Sequence, residues 1–192
     1  MPVFIGIAGP SGAGKTTVCH ELKERASEFE HVRLDNYLRN PKFFPLKNGF
    51  VNWEAVQNIR FHTLLRHLRA LAKGKSVRMK VSEKIAGARR TVVLRPRRFI
   101  VVEGFMTMKR KALRDFFDLK IFMDIPPELI IARRKKRYGQ GYFEEYDREV
   151  VIPEFLRNGT QQKEHCDYVL DGSKSSEEVL NNLQTVLRAE LM

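Results

Sequence analysis

The chain has 192 residues, with 35 Lys and Arg against 23 Asp and Glu, for a formal net charge of +12 at pH 7. That length suits one domain with a substantial core, and two distant cysteines, Cys19 and Cys166, exclude a disulfide framework or a cysteine zinc spacing. No apolar run approaches the ~20 residues of a membrane helix and no basic leader precedes the first apolar segment, so a cytoplasmic protein without a membrane partner is expected.

Residues 3 to 8, Val-Phe-Ile-Gly-Ile-Ala, read as a short strand buried on both faces. The next stretch, Gly9-Pro10-Ser11-Gly12-Ala13-Gly14-Lys15-Thr16, fits G-x-x-x-x-G-K-[ST] at every fixed position. It lies between a strand and a helical pattern, the context that motif requires. A nucleotide-phosphate site is therefore expected at Gly9, Ser11, Gly12, Ala13, Gly14, Lys15, Thr16 and Thr17. Lys15 would reach the outer phosphates, Thr16 would ligate Mg²⁺, and the helix after the loop would point its positive end at the nucleotide.

Val18, Leu22, Ala26 and Phe29 recur at helical spacing, predicting a helix over residues 15 to 29. A short strand over 31 to 34 then ends on Asp35. In open α/β sheets ligands gather at the carboxyl ends of strands, so this acid would face the crevice of the phosphate loop; turn capping by Asp35 and Asn36 is the other reading. Residues 40 to 52, rich in Pro, Gly and Phe, read as an irregular loop covering a ligand. Residues 53 to 73 read as a helix with arginines opposite its apolar stripe. An insertion over 74 to 96 reads as a β-hairpin outside the main sheet.

Residues 99 to 102 form another buried-strand run, ending on Glu103 where a phosphate-bound metal would want an acid. Residues 119 to 123 are a further strand. A helix from Pro127 carries Arg133-Arg134-Lys135-Lys136-Arg137, with Arg133 and Arg137 on one face and Arg134 and Tyr138 on the next. Gly139 and Gly141 offer hinges, so residues 127 to 142 read as a phosphate-clamping lid, a solvated basic face being the alternative. A helix over 143 to 157, a strand over 168 to 170 and a closing helix over 175 to 191, with a capping box at Ser175 and Glu178, complete the chain. Alternating strands and helices predict one α/β domain, residues 1 to 192, built on a parallel sheet with helices on both faces.

These parts point to phosphoryl transfer from ATP, with Mg²⁺, to a small-molecule hydroxyl, and Asp35 is the candidate proton acceptor. The charge excess is confined to residues 60 to 98, which hold 13 Lys or Arg against the single acid Glu83; the remaining 22 basic residues are matched by 22 acidic ones. That stretch is either a solvated face or a contact for an anionic partner. The second function class is thus a nucleic-acid-interacting P-loop protein, an ATP-switched binder or a polynucleotide-end kinase. Few aromatics beyond Phe61 and Phe99 argue against a single-strand reader.

GPSGAGKTT, LDNYL, VVEGF, the basic lid helix and DYVLDG together resemble the uridine kinase and phosphoribulokinase group of P-loop kinases. Asn48-Gly49-Phe50 with Trp53-Glu54, Gly141-Tyr142-Phe143 and residues 170 to 178 resemble nicotinamide riboside kinase in particular. The resemblance implies a five-stranded parallel sheet with a lid and a nucleoside acceptor. It implies Asp35 as base, Lys15 and Arg134 as further catalytic groups, and Thr16, Asp35 and Glu103 around the metal. Tyr37, Trp53, Glu54, Arg134 and Tyr138 would contact the substrate, Arg133 and Arg137 would lie on the ATP side of the lid, and Lys174 and Ser175 near adenine. Residues 80 to 89 lack the tyrosine and histidine with which uridine kinases hold the pyrimidine, which counts against uridine. Glu54 and Trp53, larger than the family's aspartate and tyrosine, allow a different nucleoside or a non-nucleoside alcohol.

Overall fold

An apolar hexapeptide forms the centre of the sheet. In the computed structural model, which describes residues 1–82 and 89–191, β1 (Val3–Ala8) is buried from Phe4 onward and pairs with parallel neighbours on both sides. Helix α1 (Lys15–Arg25) starts directly after the glycine-rich loop, and Ala26 is already extended. The helix is shorter than its periodicity predicts because Phe29 belongs to the sheet. It opens β2 (Phe29–Arg33), in register with Phe99, and the two rings stack at 4.8 Å. Asp35 consequently sits one residue inside a 3₁₀ turn, Leu34–Tyr37, instead of capping a strand.

Residues 40 to 52 are more ordered than an irregular loop. A tight antiparallel pair, β3 (Leu46–Lys47) and β4 (Phe50–Val51), is joined by Asn48 and Gly49, with φ of 48° and 80°. Positive φ at both central positions is what a type I′ hairpin turn demands, and Asn-Gly is the pair that supplies it. Helix α2 (Phe61–Ala72) starts well after residue 53. The preceding backbone is tied elsewhere: Leu38 and Ile59 form an antiparallel bridge, and the Arg60 N–H donates to Tyr37 O at 2.9 Å. Leu64, Leu68 and Leu71 of α2 are fully buried, each contributing roughly 1.5–3 kcal/mol.

The expected hairpin pairing is present as β5 (Val77–Ser82) and β6 (Arg89–Leu94), antiparallel and apart from the main sheet; residues 83–88, where the sequence predicts the turn, lie outside the described residues. Val77, Met79 and Val81 are buried while Arg78 and Lys80 between them are exposed, as are Arg66 and Arg69 on α2. After β7 (Phe99–Gly104), α3 (Lys111–Arg114), β8 (Leu119–Asp124) and α4 (Pro127–Tyr138), the expected single helix is instead a wound stretch. Short α segments α5 (Glu144–Tyr146) and α6 (Ile152–Glu154) alternate with wide π turns at Asp147–Val151 and Phe155–Gly159. Pro153 lies between those turns and has no N–H for a regular helical bond. Strand β9 (Tyr168–Asp171) and helix α7 (Ser176–Leu191) follow.

The five main strands are all parallel, in the order β2-β7-β1-β8-β9. Helix α1 lies against β2, β7 and α7, covering one face. On the other face Phe4 meets Phe116 edge-on at 4.7 Å, and Gln162 accepts from the Met108 N–H at 2.9 Å, docking residues 160–165. The order sets β7 between β1 and β2, so the phosphate loop, Glu103 and the Asp35 turn emerge side by side. Gly104 permits the last step: a Cβ there would lie 2.3 Å from the Leu34 Cβ, so any larger residue would push the Asp35 turn away.

At the start of α7 the Glu178 N–H donates to Ser175 Oγ at 3.2 Å while the Ser175 N–H donates to Glu178 Oε2 at 3.1 Å. Ser175→Ala should therefore lower stability by about 1 kcal/mol in urea unfolding without nucleotide, whereas Ser175→Asp should lose far less.

Candidate active site

The turn after β1 wraps back on its own lysine. Lys15 is buried, and its Nζ donates to Gly9 O at 2.8 Å and Pro10 O at 2.7 Å. Burial lowers the ammonium pKa, and the carboxylates of Glu103, Asp35 and Glu54 work against that fall. Those acids come from three separate segments. Thr16 Oγ1 donates to Glu103 Oε1 at 2.9 Å, and His31 Nε2 lies 3.4 Å from the same oxygen. Burial acts to raise the Glu103 carboxyl, but the His31 hydrogen bond and the Lys15 charge outweigh it and hold the group below the ordinary carboxylate range. Arg33 extends the network, 3.7 Å from Glu103 and 3.9 Å from Asp35.

These groups open into a cavity of about 490 Å³. One end is the phosphate loop, through Ser11, Gly12, Gly14, Lys15, Thr16 and Thr17, with Asp35 and Glu103 beside it. The other end is aromatic: Phe50, Trp53, Tyr138, Tyr142, Phe143 and Tyr146, with Glu54 and Asp147 among them. Phe50 lies 5.7 Å from Phe143 and 5.9 Å from Tyr146, and the Trp53 N–H donates to the Tyr146 hydroxyl at 3.2 Å. The β3–β4 hairpin is held against this wall by ties to the wound stretch. Glu154 accepts from Lys47 at 2.8 Å and from Asn52 at 3.2 Å, and Glu149 accepts from Asn48 at 2.6 Å.

Two arginines fasten the basic helix α4 to the loop. Arg134, only 7 % exposed, donates through Nε to Asp147 Oδ1 at 2.7 Å and through a terminal nitrogen to Ser11 Oγ at 2.9 Å. Its guanidinium also lies 5.1 Å from the Tyr138 ring centre. Arg133 donates to the carbonyls of Gly12, Gly172 and Ser173 at 3.0, 2.7 and 3.1 Å. Lys135, Lys136 and Arg137 are exposed, so only that part of the run is a solvated face. A second cavity of about 310 Å³ lies beyond the loop, lined by Ala13, Arg133, Arg137, Lys174 and Ser175 with Gly172 and Val179.

The expected site residues thus fall into two adjoining cavities, and Gly9 contributes its carbonyl to Lys15. Tyr37 is the exception. It is fully buried, its hydroxyl 3.1 Å from His67 Nδ1, and it lines neither cavity, because the 3₁₀ turn points it back under α2. Sequence patterns did not flag His31, Arg33, Tyr146 or Asp147. Only Asp147 carried a local hint, an acid beside the aromatic cluster, and nothing in the spacing links it to Arg134. Among the described residues, none of 60–98 lines either cavity. No described helix is long and apolar enough to cross a membrane.

The donors at the loop suit a magnesium ion. Thr16, Glu103 and Asp35 offer hard oxygens, and Glu103 is held ionised; Mg²⁺ in phosphate sites takes one or two carboxylates with water and phosphate oxygens.

The model of the phosphoribulokinase / uridine kinase family matches residues 4–142. A uridine kinase of Borrelia garinii subsp. bavariensis is 30% identical over 98% of this chain and 96% of its own length. Among solved structures, a possible uridine kinase from Bacillus stearothermophilus superposes with a TM-score of 0.59 at 20% identity, covering 88% of this chain and 89% of that one. Shikimate kinase from Acinetobacter baumannii, in complex with shikimate, gives 0.58 at 18% identity, covering 100% and 97%. At those identities the two structures share the fold.

Because the Glu103 carboxyl is lowered in the folded state, its contribution to stability is complete above the ordinary carboxylate range and is lost as pH falls through the lowered value. Urea midpoints across an acid series should therefore fall less steeply for Glu103→Gln than for the wild type.

Proposed function

The chain belongs to the phosphoribulokinase / uridine kinase family of P-loop kinases, and on that premise we propose that it transfers the γ-phosphate of ATP to a hydroxyl group of a nucleoside. Family membership implies ATP as donor. The observation that supports the nucleoside is the shape of the larger cavity: a phosphate loop and an acid at one end, and a wall of flat aromatic rings with Glu54 at the other. A ribose between those ends would meet Glu54 through its hydroxyls, and a planar base would lie against Trp53 and Phe50. A nicotinamide riboside-like or uridine-like acceptor suits that arrangement.

In this reading Asp35 accepts the proton of the attacking hydroxyl as its oxygen bonds to the γ-phosphorus and the bond to the bridging β–γ oxygen breaks. Lys15, a buried cation among carboxylates and carbonyls, neutralises charge gathering on the transferred group. Arg134, already on Ser11 of the loop, reaches the same group from the lid side. Magnesium, held by Thr16 with Asp35 and Glu103, would supply further neutralisation of the phosphate oxygens. On the donor side, Arg133, Arg137, Lys174 and Ser175 line the cavity beyond the loop, where the rest of ATP would lie.

Asp35→Asn separates the roles. With nicotinamide riboside, uridine and cytidine as acceptors, its kcat should fall by about 10²- to 10⁴-fold while ATP affinity, measured by titration calorimetry, changes little. Full turnover by the variant would remove Asp35 as the base.

A further inference from the structure

The charge excess of the chain lies outside both cavities. Residues 60 to 98 carry 13 Lys or Arg against one acid, Glu83, and all 11 of those basic side chains that are described are exposed. On α2, His62, Arg66, Arg69 and Lys73 fall at about 100° per residue on one narrow stripe, opposite the buried Leu64, Leu68 and Leu71. The helix contains no acid. The Lys75 N–H donates to Ala70 O at 2.9 Å, turning the chain back at the end of α2 before it enters β5. There the exposed Arg78 and Lys80 alternate with the buried Val77, Met79 and Val81, and their cross-strand partners, Val93 and Thr91, bring no acid. Both elements turn apolar sides into one core and charged sides to solvent. Among the described residues no ion pair joins Arg66, Arg69, Lys73, Lys75, Arg78 or Lys80 to a carboxylate. A solvated helix face ordinarily mixes signs, and like charges three or four residues apart weaken a helix. Burial and the charges of Arg66 and Arg60 together hold the His67 imidazole below its ordinary pKa, so the field of the stripe reaches its own neighbours.

We propose that the outer face of α2 and β5 binds the phosphate backbone of a double-stranded nucleic acid. A duplex presents about one phosphate per 1.7 Å of its axis, dense enough to meet every charge along the roughly 10 Å from Arg66 to Lys73. A single strand would need rings to stack on, but Phe61 is half-buried with the Arg110 guanidinium 5.6 Å from its ring centre, and Phe99 is buried against Phe29. A membrane calls for apolar side chains to insert, and an acidic protein for aromatic anchors at the centre of the contact; among the described residues of 60–98 no large apolar side chain is exposed. Phosphate contacts need neither, because long cationic side chains supply them and counterion release drives them. The face shares no described residue with either cavity, so duplex binding and phosphoryl transfer are separable in this chain.

Fluorescence anisotropy with labelled RNA and DNA duplexes of about 20 base pairs tests the face. Wild-type affinity for at least one duplex should fall about 10²-fold between about 50 and 200 mM salt, the loss expected when about four phosphates are neutralised. Binding of both duplexes, or of one in preference, supports the proposal and names the source of the backbone. The triple variant Arg66→Gln, Arg69→Gln, Lys73→Gln should weaken binding about tenfold or more and flatten the salt slope by about 3, while ATP affinity and the thermal midpoint stay as they are. Arg78→Gln with Lys80→Gln should act in the same direction by a smaller amount. Lys135→Gln with Lys136→Gln, exposed charges on α4, should leave duplex binding intact. Absence of duplex binding at about 50 mM salt would overturn the proposal. So would an equal loss from the α4 variant, the mark of net charge acting from anywhere on the surface. Tighter binding of phosphatidylserine vesicles or of polyglutamate than of either duplex would overturn it in favour of a membrane or an acidic protein.

Discussion

A single buried ammonium organises this protein. Lys15 sits out of water on the carbonyls of its own loop, where desolvation alone would favour losing its proton. Glu103, Asp35 and Glu54 oppose that loss, and they reach it from the end of β7, from the turn after β2 and from the segment before α2. No local interaction could gather them. They meet because β7 enters the sheet between β1 and β2, and because Gly104 lets the Leu34–Tyr37 turn close directly onto the end of β7. The same order that builds a parallel sheet thus builds a polar crevice at one edge of it, as parallel strands deliver their carboxyl ends to a common side.

The aromatic side of the larger cavity is assembled by a different device. The wound stretch from Glu144 to Gly159 departs from regular helix around Pro153, and its carboxylates are spent on fixing other segments: Glu154 and Glu149 hold the β3–β4 hairpin, and Asp147 holds Arg134. Each tie spans many residues of sequence and few ångströms of space. Together they set an aromatic wall on the cavity without a strand of the main sheet contributing to it. Arg134 bridges the halves, bonding Ser11 and Asp147 through one planar group whose fork of donors no Lys could supply.

Much of this was legible in the linear chain because its causes are local. The phosphate loop is a contiguous motif; the buried strands announce themselves as short apolar runs; the Ser175 and Glu178 capping box spans four consecutive residues. Asn48-Gly49 carried a hairpin signal, since its positive φ values follow from those two residue types, but among the surrounding Pro and Phe residues the stretch read only as an irregular loop. Phe29 shows the limit of periodicity. Its spacing from Ala26 fits a helix, but stacking on Phe99, seventy positions later, draws it into the sheet.

By itself, then, the sequence determined the buried strands, the glycine-rich loop between strand and helix, and that Asp35 and Glu103 lie near the carboxyl ends of two of those strands. Tertiary structure decided which of those acids meet Lys15, that Tyr37 turns away under α2 onto His67, and that Arg134 finds Asp147. The physical reason is common to all three. Parallel pairing and long-range side-chain contacts join residues whose separation along the chain carries no signal, so their partnership exists only once strand order has brought their backbones together.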